Sequence, residues 1–130
     1  MSSLAGAGRL RLAPGGDTGP FMHRVTVEHV ACATVVSAAG EVDAYVAPEL
    51  EEALAGARAA ALVVVDLGRV AFLDSTALGV IVRETRAASE QGRSMRVVLP
   101  TGTARRIFEI TTLDRVLPTA TSREDALAES

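Results

Sequence analysis

The chain has 130 residues, the size of one domain, and 48% of them are hydrophobic, enough to fill a core. Its 13 basic residues, all Arg, are outnumbered by 16 acidic ones; the net charge of −3 argues against nucleic acid as the main partner, since phosphate-backbone binding needs a basic surface. One cysteine rules out an intrachain disulfide or a cysteine cluster for zinc, and no apolar stretch approaches the ~20 residues of a membrane span.

Residues 1–20 are rich in Gly, Ala, Ser, Arg and Pro and show no periodicity, which predicts a disordered leader. Arg9 and Arg11 interrupt any apolar core of a signal peptide. Met22 stands just before the ordered pattern and offers an alternative translation start. The expected division is therefore a leader over 1–22 and one folded domain over 23–130.

Residues 24–30 alternate apolar and polar, as a half-buried strand does. Residues 33–38 read as its antiparallel partner, and Gly40-Glu41-Val42-Asp43 as a turn or loop. A helix starts near Pro48, with Glu49, Glu51 and Glu52 suited to its positive end and Leu50, Leu54 and Ala57 as its buried stripe. Leu62-Val63-Val64-Val65 is the continuous β-branched run of a central strand buried on both faces. A short polar link then leads to a second helix over 76–91. Leu78, Ile81, Val82, Thr85 and Ala88 form its apolar face, Arg83, Glu84, Arg86 and Glu90 point away, and Gly92 ends it. Residues 95–99 form the next strand, 103–111 a short helix with Ile107 and Phe108 inward, 115–117 a short final strand, and 122–127 a last helix capped by Ser122. A hairpin followed by alternating helices and strands predicts an α/β domain: one mixed sheet of four to five strands with about four helices packed against it.

The stretch richest in chemistry is Phe72-Leu73-Asp74-Ser75-Thr76-Ala77-Leu78-Gly79, where a strand meets a helix start. Asp, Ser and Thr are ordinary N-cap residues worth about 1 kcal/mol, and a simple cap explains them if their surroundings are ignored. The apolar flanks change that weighting, because a small polar patch framed by apolar residues suits a docking surface. Phosphate on Ser75 would add nearly two negative charges beside Asp74. Unpaired N–H groups at the helix start would offset part of that cost, whereas a docked partner would not. Such a site acts as a release switch without refolding.

Little else offers chemistry. Glu41 and Asp43 suit solvated turn carboxylates as well as a docking surface. His23 and His29 are too few to suggest a metal site, and Cys32 suits a buried small hydrophobe. Asp74-Ser75 lacks the elbow of a serine hydrolase, no histidine follows it, and no glycine-rich phosphate loop is present. The chain is not expected to be an enzyme, and no metal or cofactor is expected.

The Asp74-Ser75-Thr76 stretch resembles the phosphorylation-site motif of the anti-sigma factor antagonists, bacterial members of the STAS domain family. Gly40-Glu41-Val42-Asp43-Ala44-Tyr45-Val46-Ala47-Pro48-Glu49-Leu50 is similar to that family's acidic loop and first helix, and 105–113 to its late helix. The resemblance spans about 25–127. It implies that a partner kinase phosphorylates Ser75 and a phosphatase restores it, with Thr76 a weaker acceptor and Asp74 orienting the serine. It also implies a partner surface of Glu41, Asp43, Asp74, Ser75, Thr76, Ala77 and Leu78. The family usually carries Gly where this chain has Ala77, which would slow phosphorylation if a kinase backbone must approach there. The implied function is that of an anti-sigma factor antagonist. The unphosphorylated form binds an anti-sigma serine kinase in the cytoplasm and frees a sigma factor, and phosphorylation at Ser75 reverses this. No direct nucleic-acid contact or membrane insertion is expected. The same fold also serves as a subunit of membrane transport complexes that docks on a cytoplasmic ATPase, or as a scaffold in stress-sensing assemblies.

Overall fold

The computed structural model describes residues 24–30 and 33–128; the expected leader, His23 and Cys32 lie outside them. The elements are strand β1 (Arg24–Val30), β2 (Ala33–Val42), helix α1 (Ala47–Gly56), β3 (Leu62–Leu73), α2 (Ser75–Glu90), β4 (Ser94–Val98), α3 (Thr103–Ile110), β5 (Thr119–Ala120) and α4 (Arg123–Ala128). Among the described residues the strands form one five-stranded sheet whose spatial order follows the chain. β1 and β2 are an antiparallel hairpin, and β2, β3, β4 and β5 run parallel. Each parallel step needs a crossover, and α1, α2 and α3 supply them. This is the mixed α/β sheet expected from the alternation of elements.

The valine run of β3 is buried on both faces, as its lack of alternation predicts. Val63 and Val65 join Val36, Leu50, Leu54, Ile81, Val97 and Phe108 in the main core. Val64, fully buried, points the other way into a smaller cluster with Ala33, Val35, Leu62, Val98 and Ala126 of α4. Among the described residues the core thus holds one large aromatic ring, Phe108, surrounded by aliphatic side chains.

Four features differ from the sequence reading. First, Gly40, Glu41 and Val42 belong to β2, and only Asp43 lies in the following loop. Second, β3 continues unbroken through the supposed polar link at Gly68 and Arg69. Two register shifts explain why the alternation fails there. Ser37 pairs with Asp66 but Ala39 with Arg69, and Gly40 pairs with Val70 but Glu41 with Phe72. At each shift β3 carries one residue more than β2, the geometry of a bulge. Its core-facing residues therefore fall at Val65, Leu67, Val70 and Leu73, not at every second position. At the first bulge Gly68 N–H donates to Asp66 Oδ1 at 2.9 Å. A Cβ at position 68 would stand 3.2 Å from both that oxygen and the Pro100 ring.

Third, the buried stripe of α2 is Ala77, Val80, Ile81, Glu84, Thr85 and Ala88, with Leu78 and Val82 at its margin. Glu84, expected to face outward, has a side chain only 7% exposed. Arg58, just beyond α1, satisfies it with two bonds, Nη2 to Oε2 at 2.6 Å and Nε to Oε1 at 3.2 Å. The Glu84 hydrogen bond and charge hold the Arg58 guanidinium above its ordinary value. Fourth, residues 115–117 do not form the last strand. A 3-10 turn occupies Leu113–Arg115, Val116 is exposed, and β5 follows at Thr119–Ala120.

Candidate functional site

The parallel strands β2 and β3 end side by side: Val42 pairs with Leu73, and the Asp74 N–H donates to the Val42 carbonyl at 3.2 Å. The chain then leaves β2 for α1 and β3 for α2. Both helix starts, and the loops before them, consequently open on the same end of the sheet, the end at which parallel α/β folds place their binding sites.

An aspartate secures each start. Asp74 is extended, and its Oδ1 accepts from the Ala77 N–H at 3.1 Å while its carbonyl accepts from Leu78 N–H at 3.0 Å. Asp43 accepts at Oδ1 from Tyr45 N–H (3.0 Å) and Val46 N–H (3.1 Å), and at its carbonyl from Val46 and Ala47 N–H. Both carboxylates are thus engaged in holding backbone. Asp74 fixes Ser75 by fixing the helix turn that carries it, and no bond from Asp74 to the serine hydroxyl is formed.

Ser75 is the first residue of α2 and is exposed, as is Thr76. Neither hydroxyl makes a hydrogen bond among the described residues. Because Asp74 takes only the Ala77 N–H, the Ser75 and Thr76 N–H groups at the helix start stay open to an anion at this partially positive end. Ala77 is fully buried, its methyl turned into the core beside Val80 and Ile81, and Leu78 is half-buried. The Ala77 methyl therefore fills the core.

Around Ser75 the surface is acidic and apolar. Glu41 is exposed and pairs across the sheet with Phe72. Phe72 is 46% exposed, and Tyr45, in the loop that Asp43 shapes, is 89% exposed. The sequence flagged Phe72 as a flank of the motif. It gave one overlooked signal for Tyr45, the only tyrosine in the chain, placed in a loop where no core needs it.

Elsewhere, a cleft of about 450 Å³ lies on the sheet face that α4 partly covers, lined by Thr26, Ser37, Asp66, Arg69 and Arg123 among others. Arg123 binds Asp66 Oδ2 (2.6 Å), Ser37 Oγ (2.7 Å) and Glu28 Oε1 (3.2 Å). The hydrogen bond to Asp66 raises its guanidinium above the ordinary value, against the effect of burial. These bonds pin α4 to the sheet and neutralise the cleft from within. His29 Nδ1 lies 3.2 Å from Thr34 Oγ1 across the hairpin. Among the described residues no cluster of three or more His, Cys, Asp or Glu is placed to hold a metal, and no helix is long and apolar enough to cross a membrane.

Residues 24–126 match the family model of the STAS domain. The chain is 35% identical over 80 residues to the anti-sigma-B factor antagonist of Staphylococcus aureus, covering 60% of this chain and 74% of that one. A crystal structure of an anti-sigma factor antagonist from Mycobacterium paratuberculosis superposes with a TM-score of 0.75 at 30% identity, covering 86% of this chain and 97% of the other. The phosphorylated form of the Bacillus cell fate determinant SpoIIAA shares the fold at a TM-score of 0.64 and 20% identity, covering 82% and 98% of the two chains.

Proposed function

The chain belongs to the STAS domain family, and from that premise we propose that it is an anti-sigma factor antagonist switched at Ser75. The observation that carries this reading is the Ser75 hydroxyl: exposed, free of hydrogen bonds among the described residues, and fixed at a capped helix start. An anti-sigma serine kinase is the partner. It docks on the end of the sheet that presents Glu41, Tyr45, Phe72 and Ser75, and the sigma factor it held is released. Asp43 and Asp74 serve that surface by fixing its loops, and Thr76 is a second, weaker acceptor.

The reaction belongs to the kinase. The γ-phosphoryl of kinase-bound ATP passes to Ser75 Oγ, the hydroxyl proton leaves, and ADP departs. The new dianion takes the open Ser75 and Thr76 N–H groups and the favourable end of the helix dipole. The partner opposite has no such compensation and faces a desolvated charge beside Glu41 and Asp74, so it lets go. A serine phosphatase hydrolyses the phosphoester and resets the chain. The antagonist itself catalyses nothing and needs no cofactor, and its compartment is the cytoplasm, where sigma factors work.

Affinity capture from native lysate tests this, with wild-type and Ser75→Glu baits compared by mass spectrometry. A small anti-sigma serine kinase held by wild type and lost from Ser75→Glu is the expected result. A transporter ATPase or a very large assembly held equally by both baits would overturn the reading and assign the chain to another role of the same fold.

A further inference from the structure

Ser75, Gly79 and Arg83 follow one another at four-residue intervals on α2, so they rise along one side of the helix. Ser75 and Arg83 are exposed, and Gly79 lies between them. With no side chain at 79, the Arg83 side chain lies back along the helix toward its N-terminus. A Cβ at position 79 would stand 3.8 Å from Arg83 Nη1. In this pose Arg83 Nη2 donates to Glu51 Oε2 of α1 at 3.1 Å. Residues four apart on a helix carry Cβ atoms about 5–6 Å from each other. The guanidinium therefore rests about one turn from Ser75, with bare backbone between them. Residues 75–82 of α2 contain no other cation.

The tie to Glu51 is easily exchanged. The Arg83 and Glu51 side chains are 61% and 48% exposed, a pair of the solvent-screened kind that contributes little. A phosphoserine carries about −1.5 to −2 charges and three acceptor oxygens against the single charge of Glu51. Arg binds phosphate through a bidentate fork, the stronger of the two arrangements.

We propose that Arg83 is a phosphate-positioning residue: when Ser75 carries phosphate, the guanidinium leaves Glu51 and closes over the dianion across the gap at Gly79. This rests on the reading of Ser75 as the modified residue. The Ser75 and Thr76 N–H groups hold the phosphate from the helix end and Arg83 holds it from the helix side. Glu51, released, keeps only the longer-range charge of Arg58 and adds a less compensated carboxylate to the outer face of α1. One modification thus changes the charge of both helices that border the docking surface, and α2 need not move.

The test uses the full chain with phosphoserine encoded at position 75 during synthesis, so no kinase is required. The second ionisation of the phosphate is followed by ³¹P NMR in four backgrounds: wild type, Arg83→Gln, Glu51→Gln and Arg86→Gln. The phosphate is expected to titrate higher in Arg83→Gln than in wild type by roughly 0.2–0.7 unit, the range of an exposed ion pair. Glu51→Gln, which frees Arg83 in advance, should leave it equal to or below wild type. Arg86→Gln removes the same charge and should leave it unchanged. Equal titration in wild type and Arg83→Gln, or an equal shift in Arg86→Gln, would overturn the role of Arg83 while the Ser75 reading stands. Conversely, a chain whose Ser75 no kinase modifies would undo that reading and leave the titration as it is.

Discussion

β3 is one strand with two unlike halves. Residues 62–65 are covered by helices on both faces, pair with β2 on one edge and β4 on the other, and keep strict alternation. Residues 67–73 pair with β2 alone among the described strands, carry two bulges, and expose Gly68, Arg69, Ala71 and Phe72. The first half gives the domain a stable floor. The second gives up side-chain burial to deliver Asp74 and Ser75 beside the end of β2. On the proposed reading, in which another protein reaches Ser75, the loosely covered end of a strand whose other end is locked is the better place for it.

The contrast predicts where substitutions act. Val64→Asp, in the locked half, should abolish the folded state: an unpaired buried charge costs several kcal/mol, comparable with a whole domain's ~5–15 kcal/mol. Loss of the cooperative melting transition by circular dichroism is the expected reading, and an unchanged midpoint would refute the double burial. Asp74→Ala, at the boundary, should cost about 1 kcal/mol as the N-cap is lost, seen as a lower urea midpoint at unchanged slope. Ala77→Gly should cost about 0.5–1 kcal/mol. It should also leave the rate of Ser75 phosphorylation unchanged, because the methyl lies in the core; a faster rate would mean that the position does meet the kinase. Tyr45→Ala should move stability by less than about 0.5 kcal/mol, yet weaken partner binding about tenfold in a titration, as removal of an exposed aromatic anchor does. Unchanged affinity would remove Tyr45 from the docking surface.

The hairpin, the crossover helices and the position of Ser75 were legible because each follows from local periodicity or a capping residue. The misses share a different origin. Gly68-Arg69 read as a link because each bulge adds a residue and breaks the alternation that marks a strand. Glu84 read as solvated because the partner that allows its burial, Arg58, lies 26 residues earlier in the chain. β5 is two residues long, too short to show any alternation, and forms only where Val97 and Val98 offer an edge. At the site, Asp74 was legible as a candidate N-cap, but Asp43 only as an acidic residue of a turn, since its matching grip on the start of α1 depends on the fold of that turn.

The two bulges of β3 have a consequence for how this gene can change. Between Asp66 and Leu73 the exposed positions other than Gly68 tolerate many side chains, but the count of residues is set by β2, which reaches Val42 by an unbulged route. Dropping one residue would turn Leu73 toward solvent and swing Asp74 away from the Val42 carbonyl. Drift in this segment should therefore accumulate as substitutions and be intolerant of single-codon insertions and deletions.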